Sequence, residues 1–170
     1  ATRFAKLFEE LAVPGIDTDA FNREYLHNLG YGTQPLPHAL ELCQALSALG
    51  CRLYILTNGL SGPQRRRLAG SGLTPYLSDI FVSEETGFQK PRKEFYDYVF
   101  ARIPDFAKSR ALMVGDSLSS DMEGARNAGV DACWYNPKGK TAPPDLLAPT
   151  GPIRYEIREL MELAEILAAA

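Results

Sequence analysis

The stretch ALMVGDSLSSDMEGARNAGVDACWY, residues 111–135, decides the fold. Ala111–Val114 is an apolar run too short for a helix, and it reads as a buried strand. Leu118–Ala128 then carries helical spacing and stops at Gly129. Ala132–Tyr135 is a second apolar run of strand length. A strand, a helix and a strand in this order predict two parallel strands joined by a crossover.

The same alternation continues on both sides. Upstream, Cys51–Leu56 reads as a strand, Gly62–Gly70 as a helix, Asp79–Ser83 as a strand and Lys93–Ile103 as a helix. A helix over His38–Leu49 precedes them, with Leu42, Ala45, Leu46 and Leu49 as its buried stripe and Gly50 as its stop. Downstream, Pro137–Pro152 is a proline-bearing loop, Ile153–Ile157 a last edge strand and Glu159–Ala169 a closing helix, with the alanines 168–170 as its fraying end. At the other end Phe4, Leu7, Phe8 and Leu11 fall at helical spacing up to Pro14-Gly15. Asp17 or Thr18 caps a second helix running to Leu29 and Gly30, and Tyr31–Pro37 is a Gly- and Pro-rich linker. The expected fold class is α/β, a Rossmann-like, mostly parallel sheet with helices on both faces.

Composition supports one globular domain, or one with a small appendage. The 170 residues are 45% hydrophobic, and 18 Lys+Arg against 21 Asp+Glu give a net charge of -3. That apolar fraction excludes a disordered chain. The mild acidity offers no electrostatic footprint for nucleic acid or an anionic membrane. Arg65-Arg66-Arg67 is the one concentrated basic run, and on a helix it reads as a solvated face. No apolar run is long enough for a membrane-spanning helix. Cys43, Cys51 and Cys133 are odd in number, widely spaced and set in apolar runs, which predicts buried reduced thiols in a cytoplasmic protein.

In an open parallel sheet, ligands bind beyond the carboxyl ends of the strands. Three polar clusters lie at such ends: Thr57-Asn58-Gly59, Gly87-Phe88-Gln89-Lys90-Pro91, and Gly115-Asp116-Ser117-Leu118-Ser119-Ser120-Asp121. Each has an ordinary reading, as a turn, a loop end, and a helix cap formed by Asp116 or Ser117. Their order along one sheet edge suggests more. A threonine hydroxyl and free backbone N–H groups at a strand-to-helix turn can hold phosphate oxygens. A lysine adds a compact positive charge. Asp116 at a strand tip, with Asp121 one helical turn on, suits a hard cation such as Mg²⁺.

These strings resemble motifs II, III and IV of the haloacid dehalogenase-like hydrolases: Leu56-Thr57-Asn58-Gly59, Gly87-x-x-Lys90-Pro91, and Val114-Gly115-Asp116-Ser117-x-x-x-Asp121. Residues 114–137 are particularly similar to the bacterial noncanonical pyrimidine nucleotidases, and Ser83-Glu84-Glu85 fits as well. The resemblance implies Mg²⁺-dependent hydrolysis of a small phosphomonoester, a nucleoside 5′-monophosphate above all, through an aspartyl-phosphate. It implies catalytic roles for Thr57 and Lys90, substrate binding by Thr57, Asn58, Gly59 and Lys90, and metal binding by Asp116 and Asp121, the latter as a direct ligand or by orienting the site. Ser117 would add a hydrogen bond near the metal. It also implies that residues 1–34 are the second half of a helical cap, and residues 35–170 an α/β core.

One family element is missing. The first motif is an apolar strand followed by Asp-x-Asp, supplying the nucleophile and the general acid, and its strand lies between the Cys51–Leu56 and Ala111–Val114 strands. The chain's one Asp-x-Asp, Asp17-Thr18-Asp19, follows a turn rather than a strand and precedes helical spacing, so it reads as a helix cap. The two core strands are therefore expected to face a gap, at a cost of roughly 1–3 kcal/mol per unsatisfied buried group. The sequence is expected to be the carboxyl-terminal part of a longer protein, short by about 60 residues on domain-size grounds, and inactive alone. Competing readings are a phosphate- or nucleotide-binding module without turnover, a sugar-phosphate phosphatase and a dehalogenase. The oligomeric state is open.

Overall fold

The computed structural model describes residues 3–169; the expectations for Ala1 and Ala170 fall outside them. Among the described residues five strands form: β1 (Leu53–Thr57), β2 (Leu77–Val82), β3 (Leu112–Gly115), β4 (Asp131–Tyr135) and β5 (Ile153–Ile157). Each is short; β1 to β4 are mostly apolar, and β1, β3 and β4 end at turn residues such as Asn58-Gly59, Gly115 and Asn136-Pro137 that do not extend them, while β5 runs straight into the Glu159 cap of the last helix. All the pairings are parallel, in two groups: β1 with β2, and β3–β4–β5. The edge strand expected over Ile153–Ile157 is β5.

Helices before, between and after the strands cover both faces. They are α3 (Ala39–Ala48), α4 (Ser61–Ala69), the single turn α5 (Ser83–Thr86), α6 (Lys93–Phe100), α7 (Glu123–Ala128) and α8 (Leu160–Ala168), preceded by α1 (Arg3–Glu10) and α2 (Thr18–Leu29). Successive β4 side chains point to opposite faces, as a strand dictates. Ala132 and Trp134 join Phe95, Tyr96, Val99 and Met122 on one side. Cys133 joins Leu42, Leu46 and Leu163 on the other. The helix expected over 118–128 begins as a wider π-helical turn, Leu118–Met122, before α7.

Some sequence expectations change. Leu49, placed in the buried stripe of α3, caps its end and is 48% exposed. Of the cysteines only Cys133 is buried, while Cys51 is exposed and Cys43 intermediate. Burial pushes the Cys133 thiol up to about 12. Cys51 is exposed because β1 starts only at Leu53, leaving Cys51 in the turn after α3. The arginine run is exposed as expected, yet each member is engaged. Arg65 forms a bidentate pair with Glu85, Arg66 reaches the His27 carbonyl at 3.3 Å, and Arg67 reaches the Gly32 carbonyl at 2.9 Å. The run thus ties α4 to α5 and to the end of α2. Asp17 caps α2 as predicted, its carboxylate accepting from the Asp19 and Ala20 amides at 3.1 and 2.9 Å.

β1 and β3 do not pair. Between them lies a slot of about 640 Å³, lined by Leu53–Leu56 on one side and Leu112–Val114 on the other, with Tyr96 and Leu46 among its walls. This is the gap expected where a central strand would lie. No described helix is long and apolar enough to cross a membrane.

Candidate active site

The carboxyl ends of β1 and β3 open onto the same end of the slot, and Lys90 spans it. Its Nζ donates to the Leu56 carbonyl of β1 at 2.6 Å and to Asp121 Oδ1, beyond β3, at 2.7 Å. The two side chains are 9% and 8% exposed, so the pair is shielded from water. Desolvating both charges is costly, and the geometry offsets the cost only because the remaining lone pairs are served. They are: Asp121 Oδ2 accepts from the Ser117 backbone N–H at 3.1 Å. Gly115 makes room for this carboxylate, since a Cβ there would lie 2.4 Å from Asp121 Cγ.

Register explains how the two strand ends are pinned. Thr57 pairs with Val82, so Ser83 sits beside the turn that follows β1. Ser83 Oγ accepts from the Gly59 N–H at 2.9 Å and donates back to the Gly59 carbonyl at 3.3 Å. The first residue of α4 is held as well. The Ser61 N–H donates to Glu84 at 2.7 Å, and the Ser61 hydroxyl donates to Glu85. The Arg65 guanidinium, helped by that hydroxyl, lowers the Glu85 carboxyl to about 2. On the other strand, Gly115 pairs with Trp134, whose indole N–H then reaches the Asp116 carbonyl at 3.2 Å.

Asn58 has a particular task. Its Oδ1 accepts from the Lys90 N–H and its Nδ2 donates to the Lys90 carbonyl, both at 2.9 Å. The amide therefore holds the lysine's main chain in the manner of a neighbouring strand. Thr57 has its hydroxyl 3.5 Å from the Asn58 carbonyl, a contact too long to commit it. Tyr96 lies behind the acid. Burial, with the Asp121 charge adding, drives its hydroxyl well above the ordinary range, so it stays a neutral wall of the site.

The residues proposed from the sequence thus come together around one mouth: Thr57, Asn58 and Gly59 on one lip, Asp116 and Asp121 on the other, Lys90 between. Asp121 spends one oxygen on Lys90 and the other on Ser117. Asp116 is exposed, and among the described residues its carboxylate makes no hydrogen bond or ion pair. A hard cation that keeps most of its waters needs only one or two such carboxylates. The donor set fits Mg²⁺ with Asp116 as the available ligand, although no described group of three acidic, His or Cys residues forms a closed metal site. Sequence reading missed the Trp134 bond to Asp116 and the grip of Ser83 on Gly59. Of these, only Ser83 carried a signal, its place at the end of a predicted strand.

By sequence the chain is similar to the HAD-hydrolase YfnB of Bacillus subtilis, 45% identical over 98% of this chain and 68% of that protein. It is 40% identical to the pyrimidine 5′-nucleotidase PynA of Streptococcus pneumoniae, over 80% of this chain and 57% of that protein. It is 33% identical to the pyrimidine 5′-nucleotidase YjjG of Escherichia coli, over 97% of this chain and 69% of that protein. The crystal structure of magnesium-bound YfnB superposes with a TM-score of 0.84, covering 98% of this chain and 70% of that one. The family model for haloacid dehalogenase-like hydrolases matches residues 3–129, which include the ends of β1 and β3 and the lysine that joins them. With strands, site and relatives in agreement, the chain belongs to the haloacid dehalogenase-like hydrolases.

Proposed function

We propose that this chain carries the phosphate- and metal-binding half of a phosphomonoester hydrolase acting on nucleoside 5′-monophosphates. The observation that carries the reading is Lys90, a shielded ammonium fixed between the ends of β1 and β3. Around it stand an uncommitted Thr57 hydroxyl, the backbone of the Asn58-Gly59 turn and the free Asp116 carboxylate. Such a mouth suits a dianion with its counter-cation and is poorly suited to an uncharged substrate.

In this reading the phosphoryl oxygens rest on the Thr57 hydroxyl and the Lys90 ammonium, while Ser83 Oγ holds the Gly59 N–H and so fixes the turn. Asp116 holds Mg²⁺, which when bound offsets phosphate charge. Asp121 keeps Lys90 aimed and the Ser117 loop closed. The slot between β1 and β3 takes a further parallel strand, whose first carboxylate attacks phosphorus as the P–O bond to the nucleoside breaks, while a second, protonated carboxyl on the same strand gives its proton to the departing oxygen. Water then releases phosphate from the acyl-phosphate. Turnover requires that strand, so the described residues bind and polarise but do not supply the nucleophile. The α1–α2 segment, residues 3–29, acts as part of a cap over the mouth. PynA and YjjG favour a pyrimidine nucleotide among the possible substrates.

The test is phosphate release, by the protein that includes this further strand, from uridine, thymidine and adenosine 5′-monophosphates and from a generic aryl phosphate, with and without Mg²⁺. The expected result is release that needs Mg²⁺ and falls by about a thousandfold in Asp116→Asn and in Lys90→Ala. Unchanged rates in both variants would remove the assignment.

A further inference from the structure

We propose that Asn127 is a positioning residue for Lys90, closing with Asn58 a two-sided clamp on the Lys90-Pro91 backbone. The consequence for catalysis rests on the phosphatase reading above; the clamp itself does not.

A lysine side chain is long and flexible, so its ammonium is placed well only if its main chain is fixed. Lys90 lies in the loop between α5 and α6, outside any strand ladder. Asn58 takes both of its backbone groups from the β1 side. Beyond it comes Pro91, which has no N–H, so its carbonyl is the remaining main-chain handle. Asn127 Nδ2 donates to that carbonyl at 3.0 Å. Asn127 stands near the end of the helical stretch 118–128 whose start carries Asp121. One rigid element thus grips the lysine twice: at the ammonium through Asp121 and at the following peptide through Asn127. Asn127 is itself exposed, so its hydrogen bond rather than its packing is what a substitution removes.

The experiment uses the full protein, with Asn127→Ala and Asn127→Ser. Each lysine's acetylation rate with acetic anhydride is followed by peptide mass spectrometry. Lys108 is the internal control, because its Nζ donates to the Ala128 carbonyl at 2.6 Å, beside Asn127. The expected result is labelling of Lys90 about tenfold faster in both variants, with Lys108 unchanged, as a local opening predicts. Phosphate release should lose about tenfold in kcat while KM moves less than twofold. Unchanged Lys90 labelling overturns the clamp, and so does a joint rise at Lys90 and Lys108, which would signal unravelling of α7. Faster Lys90 labelling with unaltered kcat overturns the positioning role. If the unmodified protein releases no phosphate from any ester, the phosphatase reading fails, and the labelling alone decides the clamp.

Discussion

Strands β1 and β4, one from each group, are both apolar and buried very differently. In the three-stranded group, Ala132, Cys133 and Trp134 of β4 are at most 1% exposed. In the two-stranded group no residue of β1 is fully buried, although Leu53, Tyr54, Ile55 and Leu56 are as apolar as any in the chain. The difference is position. β4 has a paired neighbour on each edge and helices on both faces, while β1 has β2 on one edge and the slot on the other. One paired edge is enough for burial elsewhere, since Val82 of β2 and Ile157 of β5 are 0% exposed, so what wets β1 is the slot it faces.

That contrast can be broken by large-to-small substitutions. Trp134→Ala is expected to cost about 3–5 kcal/mol of unfolding free energy, and Ile55→Ala only about 1–2, because less apolar surface is removed from a site already open on one side. Urea denaturation gives both values, and equal losses would show that β1 is as well packed as β4. Lys90→Met should also cost roughly 3–5 kcal/mol, since it leaves the Asp121 carboxylate buried and unpaired while cutting the polar link across the slot. A loss below about 1 kcal/mol would mean the link behaves as an exposed pair. Gly115→Ala tests the same carboxylate from the other side. Its methyl must displace Asp121, and a cost of about 1–3 kcal/mol is expected.

The sequence made the ends of β1 and β3 readable because turn residues there directly follow apolar runs. It made the Asp17 cap readable because Asp followed three residues on by a helical pattern is a local signal. Both depend on neighbours along the chain. The clamp of Asn127 on Pro91 and the bond from Trp134 to Asp116 join residues far apart in sequence, and they exist only once the parallel register is set. The arginine run shows the same limit. Periodicity correctly placed its three side chains on an exposed face, yet their partners Glu85, His27 and Gly32 come from three other segments. The π-helical turn at Leu118–Met122 was also invisible, because a wider turn leaves the hydrophobic spacing almost unchanged.

The smallest expected effect concerns the outer face of the two-stranded half. Glu85 has its carboxyl lowered from 4.5 to about 2 by Arg65 and Ser61. A depressed folded value means the stabilisation is complete above about pH 4.5 and is lost as the pH falls toward 2. Because the Arg65 and Glu85 side chains are 49% and 34% exposed, screening holds it to about 0.5 kcal/mol. Glu85→Gln should therefore melt within a degree or two of the unmodified chain at pH 7, and the two curves should converge at pH 2. A larger gap at neutral pH would show that this pair, rather than the slot, sets the stability of β1 and its turn.

Trp134 has one further consequence. It is the only tryptophan in the sequence, and its indole N–H is tied to the carbonyl of Asp116. The chain therefore contains its own optical gauge at the lip that carries Asp116, read from native emission without any label. A divalent cation at Asp116 would alter the field at the indole, and titrating Mg²⁺ against that emission would test the proposed metal ligand independently of any substrate.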